Sequence, residues 1–162
     1  QRIGIARAMI VEPKFVICDE PISALDVSVQ AQVVNLLEQL KNDFGLTLLF
    51  IAHDLSMVRY ISDRIAVLYL GAIMEIGPAD DVFFEPQHPY SQLLTKSNPI
   101  ADPIIEKERQ HVPIRGEIPS PVNIPAGCRF SERCPHAKPE CKSVTPLLKE
   151  IAPNHQVACH LF

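Results

Sequence analysis

The sequence predicts an α/β fold with a mainly parallel sheet, followed by a loop-rich tail that carries four cysteines. In the first half of the chain, apolar runs alternate with helical spacings in the order strand–helix–strand–helix–strand. Prolines become frequent after about residue 84, and the four cysteines of the tail follow. A chain of 162 residues is long enough for one good core with something smaller appended.

The first helix is predicted over residues 2–11, which are rich in Ala, Ile and Arg and are followed by a proline. A short buried strand follows at 14–19. From Ser28 to Phe44 the apolar residues have a helical spacing. Asp26 or Ser28 suits the start of this helix as a cap, and Gly45 suits its end.

Residues 46–52 are almost entirely apolar, which predicts a strand covered on both faces. Asp54 suits the cap of a short helix that runs to about Ile61. Ile65 to Leu70 is predicted as the third strand. Gly71 then turns the chain into Ile73–Ile76, which predicts a hairpin.

Three regions are predicted along the chain. Residues 1–84 form the α/β part, and residues 85–115 hold a His-Pro-Tyr segment and a linker. In that segment Pro89 is expected to start a helix and Tyr90 to pack. Residues 116–162 show little periodicity and too few apolar residues for a core, so they are expected to need a metal or cluster as a staple.

Composition excludes few classes of function. The net charge of −4 argues against a nucleic-acid surface. No apolar run reaches the roughly 18–20 residues that span a bilayer, and no signal peptide is visible. The chain starts at Gln1 without an initiator Met, so an upstream part could hold a targeting signal.

Polar residues follow two of the apolar runs. Asp19 and Glu20 follow the first, and His53 and Asp54 follow the second. The carboxyl ends of parallel strands are where α/β sheets place their chemistry. A metal-binding Asp, a Glu that can act as a base and a His on a neighbouring strand suit hydrolysis of a magnesium nucleotide. An isolated Asp-Glu pair is more often a solvated strand end.

These residues stand in an order that resembles the second half of an ABC-transporter ATPase. Cys18–Pro21 resembles the Walker B motif, Ser23–Asp26 the D-loop and His53 the switch histidine. Gln1 resembles the last residue of the LSGGQ signature. His88-Pro89-Tyr90 and the cysteine tail narrow the resemblance to the ATPases of oligopeptide and dipeptide importers.

The resemblance implies a role for each of these residues and the C-terminal part of a P-loop NTPase fold. Asp19 would hold Mg²⁺, and Glu20 would orient or deprotonate the attacking water. His53 would contact the γ-phosphate of ATP. Asp26 would sit at a dimer interface near the opposite nucleotide, and Gln1 belongs to the nucleotide-contacting set.

The resemblance also implies partners and a location. It predicts two membrane permeases, a second ABC ATPase subunit in a head-to-tail dimer, and an indirect link to a peptide-binding protein. The location would be the cytoplasmic face of the cell membrane. The alternatives are a non-transport ABC ATPase and a metal- or cluster-bearing interaction module.

One departure from the family is large. No Gly-x-x-x-x-Gly-Lys-Ser/Thr sequence occurs in the chain, so the loop that cradles phosphate groups is absent. The sequence therefore reads as a fragment of a subunit, and it is not expected to hydrolyse ATP alone.

Four cysteines mark the tail, at Cys128, Cys134, Cys141 and Cys159. Four thiolates suit a 4Fe–4S cluster or a tetrahedral zinc ion. The wide spacings between the cysteines favour the cluster, because zinc ribbons usually contain paired Cys-x2-Cys knuckles. The resemblance to the peptide-importer ATPases also favours the cluster. Metal-free thiols or a disulfide remain a third possibility. The nearby histidines at 136, 155 and 160 are expected to be bystanders.

Overall fold

The structure is a computed structural model that describes residues 1–97, 120 and 122–162. It divides into two compact units, Gln1–Ser62 and Asp63–Phe162. The helices are α1 (Arg2–Met9), α2 (Val27–Phe44), α3 (Leu55–Ile61), α4 (Ala79–Phe84) and α5 (Pro89–Ser97), with a 3-10 helix at Pro139–Lys142. The strands are β1 (Phe15–Asp19), β2 (Thr47–Ile51), β3 (Arg64–Tyr69), β4 (Ala72–Pro78), β5 (Lys149–Ala152) and β6 (His155–Val157).

The first unit is built on a parallel pair of strands. β1 and β2 pair from Phe15 with Thr47 to Asp19 with Ile51. Alternate residues of both strands turn toward α2, as expected for a pleated strand. The buried residues of this core are Cys18, Ile22, Val33, Val34, Leu37 and Ile61.

The ends of α2 and α3 are fixed by the predicted caps. The Asp26 carboxylate accepts from the Val29 N–H, 2.9 Å away, at the start of α2. The helix ends at Gly45, whose φ of 62° lies in the left-handed region that glycine adopts without strain. At the start of α3, one Asp54 oxygen accepts from the N–H groups of Ser56 and Met57.

The other face of the β1–β2 pair is open. Phe15 and Ile17 of β1 are 52% and 59% exposed, and Leu49 and Ile51 of β2 are 46% and 43% exposed. The prediction that β2 is covered on both faces is therefore wrong for the described residues, because the core of this unit lies on one side of the pair.

The second unit contains a four-stranded antiparallel sheet in the order β3-β4-β6-β5. The α/β class holds, and the predicted hairpin of β3 and β4 is confirmed. The mainly parallel sheet is not found among the described residues, because only β1 and β2 pair in parallel and β3 belongs to the antiparallel sheet. The hairpin turns at Leu70 and Gly71, where φ is 46° and 73° and the chain reverses directly.

The core of the second unit joins the hairpin to the cysteine tail. Its buried residues are Tyr69, Met74, Cys128, Phe130 and Cys141. The ring of Tyr90 lies 4.7 Å from that of Tyr69 and 5.3 Å from that of Phe130, between centroids. The predicted roles of Pro89 and Tyr90, a helix start and a packing residue, are thus confirmed.

β4 pairs with β6, so the predicted boundary after residue 84 separates segments that share one sheet. Within the predicted region 85–115, the linker that follows the His-Pro-Tyr segment, from residue 98 onward, lies outside the described residues.

Candidate functional site

Glu20 and His53 follow the ends of the two parallel strands. β1 ends at Asp19 and β2 at Ile51, and these two residues are direct partners in the register. The next residue, Glu20, donates its backbone N–H to the Ile51 carbonyl over 2.9 Å. The turn after β1 is therefore fixed against the end of β2, at the edge where parallel sheets carry their functional side chains.

The side chains of Glu20 and His53 are in contact. Nδ1 of His53 lies 3.1 Å from Oε2 of Glu20 and 3.2 Å from its Oε1. With a proton on Nδ1, the ring donates to the carboxylate and orients it. The side chains remain accessible, with 78% of His53 and 41% of Glu20 exposed. An accessible carboxylate held in this way can take a proton from a bound water.

The backbone at Glu20 is unusual. Its φ of 45° lies in the left-handed region, which a residue with a Cβ adopts only when its surroundings hold it there. Pro21 and Ile22, directly after it, are buried. Ser23 donates its hydroxyl to the Glu20 carbonyl over 3.1 Å. The turn that follows thus holds the strained residue in place.

Asp19, Asp26 and Gln1 are the other predicted residues of this site. Asp19 is exposed at the end of β1, where a carboxylate can bind a hard cation and its waters. Asp26 acts locally as a cap, and its hydrogen bonds from the Ser28 hydroxyl and then the Val29 N–H lower the pKa of its carboxyl. Gln1 precedes α1 and makes no side-chain capping bond. Within the described ranges, no hydrogen bond brings Asp26 or Gln1 to the Glu20–His53 pair.

All four cysteines of the tail line one pocket in the second unit. Cys128 and Cys141 are buried, Cys134 and Cys159 are half-buried, and all four are free thiols. No group of three or more His, Cys, Asp or Glu side chains in the described part of the chain is arranged to hold a metal ion.

Burial sets the chemistry of these thiols. It raises the pKa of Cys128, Cys134 and Cys159, and the neighbouring thiols of the pocket raise it further. Without a cation they therefore favour the protonated, neutral form. A bound cation would reverse that preference, because it stabilises the thiolate.

Gly127 allows two segments of the pocket to meet. The Cys128 N–H donates to the Cys141 carbonyl over 2.7 Å. A Cβ on Gly127 would lie 2.3 Å from that same carbonyl oxygen and 2.8 Å from the Ser143 nitrogen. Only glycine fits this approach of backbone to backbone.

His88 also lines the cysteine pocket. It is 1% exposed, and burial lowers the pKa of its imidazole to about 4. Its Nδ1 accepts from the Tyr90 N–H over 3.0 Å. His160 lines the pocket as well, and its Nε2 lies 2.9 Å from the Val144 carbonyl, to which it donates.

The sequence did not predict that Glu75 and His155 form a buried polar pair. His155 Nε2 lies 2.7 Å from Glu75 Oε1, and both side chains are buried. A charged residue within the apolar run of β4 was the available signal. The bond of His155 goes to Glu75, and its role relative to the cysteine pocket stays a prediction.

No helix among the described residues combines the length and apolar character needed to cross a membrane.

Comparison with known proteins gives consistent results. Residues 74–141 match the family described as oligopeptide/dipeptide transporter, C-terminal region. The whole chain is 59% identical to the putative oligopeptide transport ATP-binding protein YkfD of Bacillus subtilis, of which it covers 49%. Over 98% of its length it is 56% identical to the oligopeptide transport ATP-binding protein OppF of Escherichia coli, of which it covers 47%. The chain thus spans about half the length of these relatives.

Proposed function

We propose that this chain, which is similar over its length to oligopeptide transport ATP-binding proteins, works as the C-terminal part of the subunit that hydrolyses ATP to energise import of di- or oligopeptides. The observation that carries the proposal is the contact between Glu20 and His53 at the edge of the parallel strands. That contact places a base, Glu20, beside a polar group, His53, at the carboxyl-terminal edge of the parallel strands, where functional side chains of α/β sheets lie.

Each residue of the edge has a proposed role. Glu20 orients or deprotonates the water that attacks the γ-phosphate, and His53 contacts that phosphate and steadies the Glu20 carboxylate. Asp19 holds Mg²⁺ through water, in keeping with its exposed carboxylate. Asp26 and Gln1 face the second nucleotide-binding subunit. Magnesium would supply charge neutralisation on the phosphate oxygens.

The proposed assembly is the one that the resemblance to peptide-importer ATPases implies, and the names of the relatives support its link to oligopeptide transport and ATP binding. Two such ATPase subunits form a head-to-tail dimer on the cytoplasmic face of the membrane, beneath two permeases. A peptide-binding protein delivers the substrate. Residues 1–162 alone are not expected to hydrolyse ATP, because they contain no phosphate-binding loop.

The catalytic proposal is tested in a hybrid subunit, in which residues 1–162 replace the matched segment of the Escherichia coli relative. Glu20→Gln should keep nucleotide binding and lower MgATP turnover by about 100-fold or more, the scale of losing a general base. Steady-state phosphate release measures the effect. Glu12→Gln, the same change on an exposed residue outside the site, should leave turnover unchanged. Full turnover in the Glu20→Gln hybrid would refute the assignment.

The cysteine pocket is proposed to hold a 4Fe–4S cluster, with zinc as the alternative. The donor type suits either group, because four soft thiols line one pocket and Gly127 lets two of their segments meet. In the described residues these thiols do not yet form a ligand set around one point, so loading would have to draw them together. Cys128, Cys134, Cys141 and Cys159 would be the ligands. The centre would stabilise the fold of residues 116–162, which have few apolar residues of their own.

Metal content tests this second proposal. Anaerobic purification should give a brown protein with about four irons per chain, or a colourless one with one zinc in the alternative. Cys134→Ser should lose the metal, and Cys18→Ser, which alters a thiol of the other unit, should keep it. A wild-type chain with neither iron nor zinc would contradict both versions.

A further inference from the structure

Glu75 anchors the segment that carries His88. The carboxylate of Glu75 is 0% exposed. One of its oxygens accepts from the Gln87 N–H and the other from the His88 N–H, each over 2.9 Å. The first oxygen also accepts from Nε2 of His155 over 2.7 Å. These three bonds fix the backbone at His88 against strands β4 and β6.

The imidazole of His88 is fixed by a further bond. Its Nδ1 accepts the Tyr90 N–H over 3.0 Å, so that nitrogen presents a lone pair and carries no proton. The proton of the neutral ring therefore resides on Nε2. A neutral imidazole in this tautomer cannot ligate a metal through Nε2, because that nitrogen has no free lone pair. The ring can still donate a hydrogen bond from its Nε2–H group.

The cysteine pocket that His88 lines offers sulfur acceptors for this proton. His88 is 1% exposed and lines that pocket with Cys128, Cys134, Cys141 and Cys159. Phe130 flanks it, with 6.0 Å between the ring centroids. Sulfur accepts hydrogen bonds weakly as a thiol and more strongly as a thiolate or sulfide, which carry negative charge.

We propose that His88 donates a hydrogen bond from Nε2 to a sulfur of the centre bound in this pocket, as a positioning residue and not a ligand. The inference rests on the proposed metal centre. Hydrogen bonds to sulfur stabilise the more negative state of the centre, so the His88 bond raises its reduction potential if the centre is an iron–sulfur cluster. For zinc, the same bond lowers the basicity of one thiolate.

Two variants distinguish the hydrogen bond accepted at Nδ1 of His88 from the one donated at Nε2. In His88→Asn, the side-chain oxygen can accept the N–H two residues on, as in an Asx turn, but the side chain is too short to donate into the pocket. In His88→Gln, the longer amide can donate from about the position of Nε2. Circular dichroism reports whether each variant is folded.

The measurement is a redox titration of the anaerobically reconstituted 162-residue chain, followed by electron paramagnetic resonance. The midpoint potential should move to more negative values in His88→Asn and return toward the wild-type value in His88→Gln. Equal potentials in the three proteins would overturn the proposal. Uptake of iron by the wild-type chain tests the cluster separately, so the two failures are distinguishable.

A second measurement needs no variant and covers the zinc alternative. Nitrogen-15 NMR of the histidine side chains follows the proton on Nε2 of His88 in the zinc-free and zinc-loaded chain. The proton should stay on Nε2 and exchange more slowly when zinc is bound. Loss of that proton on loading would make His88 a ligand and overturn the inference. A chain that binds neither iron nor zinc would overturn the inference together with the proposed centre.

Discussion

Glu20 combines a proposed chemical role with a strained backbone. Its φ of 45° is one that residues with a Cβ seldom adopt, at a cost of roughly 1–3 kcal/mol. The bond from its N–H to Ile51 and the bond from Ser23 to its carbonyl hold it there. The same residue carries the carboxylate that contacts His53, so a stability cost and a functional geometry share one residue.

That strain makes the order of two substitutions at Glu20 predictable. Glu20→Gly and Glu20→Ala both remove the carboxylate, but only Gly relieves the left-handed backbone. The Gly variant should be more stable than the Ala variant by about 1 kcal/mol. Urea unfolding of the two variants measures the difference.

The control is Glu38, which lies inside α2. There Ala should be more stable than Gly by about 1 kcal/mol, the opposite order. The same order at both positions would show that the backbone of Glu20 is not strained in solution.

Proximity of the site residues was predictable for one pair and not for another. Glu20 and His53 each follow a strand, and parallel strands end at one edge, so local patterns were enough. The contact between Glu75 and His155 spans 80 residues. No local pattern encodes such a pairing. A charged residue within the apolar strand β4 pointed to Glu75, but nothing in the sequence pointed to His155 as its partner.

The segments that meet at the cysteine pocket depend on one glycine. A Cβ on Gly127 would lie 2.3 Å from the Cys141 carbonyl oxygen, a backbone atom that cannot rotate away. Gly127→Ala should therefore lower the free energy of unfolding by about 1–3 kcal/mol, the range of overpacked sites. Thermal unfolding measures this loss, and iron or zinc retention should fall with it.

Gly4→Ala is the matched control for this prediction. Gly4 lies within α1 and a Cβ there meets nothing within 4 Å. The substitution should be neutral or should stabilise the chain by up to about 1 kcal/mol, because Ala is the better helix former. Equal stability of Gly127→Ala and the wild type would mean that the two segments do not approach so closely.

Elements with strong local signals were predicted well. α2 combines a helical spacing with a cap at each end, and it begins and ends within a residue of its predicted bounds. β6 has three residues, and its position is set by pairing with β4 rather than by its own pattern. The mainly parallel sheet failed for a related reason: strand order along the chain does not say which partner a strand takes.

The chain as a whole should not bind MgATP tightly. Its 162 residues include no phosphate-binding loop, and that loop supplies most of the contacts to a nucleotide's phosphates. Calorimetry with MgATP should show no saturable binding at micromolar concentrations. The hybrid subunit described above should bind under the same conditions. A micromolar dissociation constant for the chain alone would contradict the fragment interpretation.

The 80-residue separation of Glu75 and His155 also bears on how the polypeptide is synthesised. Ribosomes add about 5–20 residues per second, so His155 follows Glu75 after roughly 4 to 16 s. The hairpin of β3 and β4 is local and can form in that interval. Until His155 emerges, however, burying the Glu75 carboxylate would leave Oε1 with the Gln87 N–H but without its second donor. Completion of this sheet therefore waits until the 80 residues after Glu75 have been synthesised.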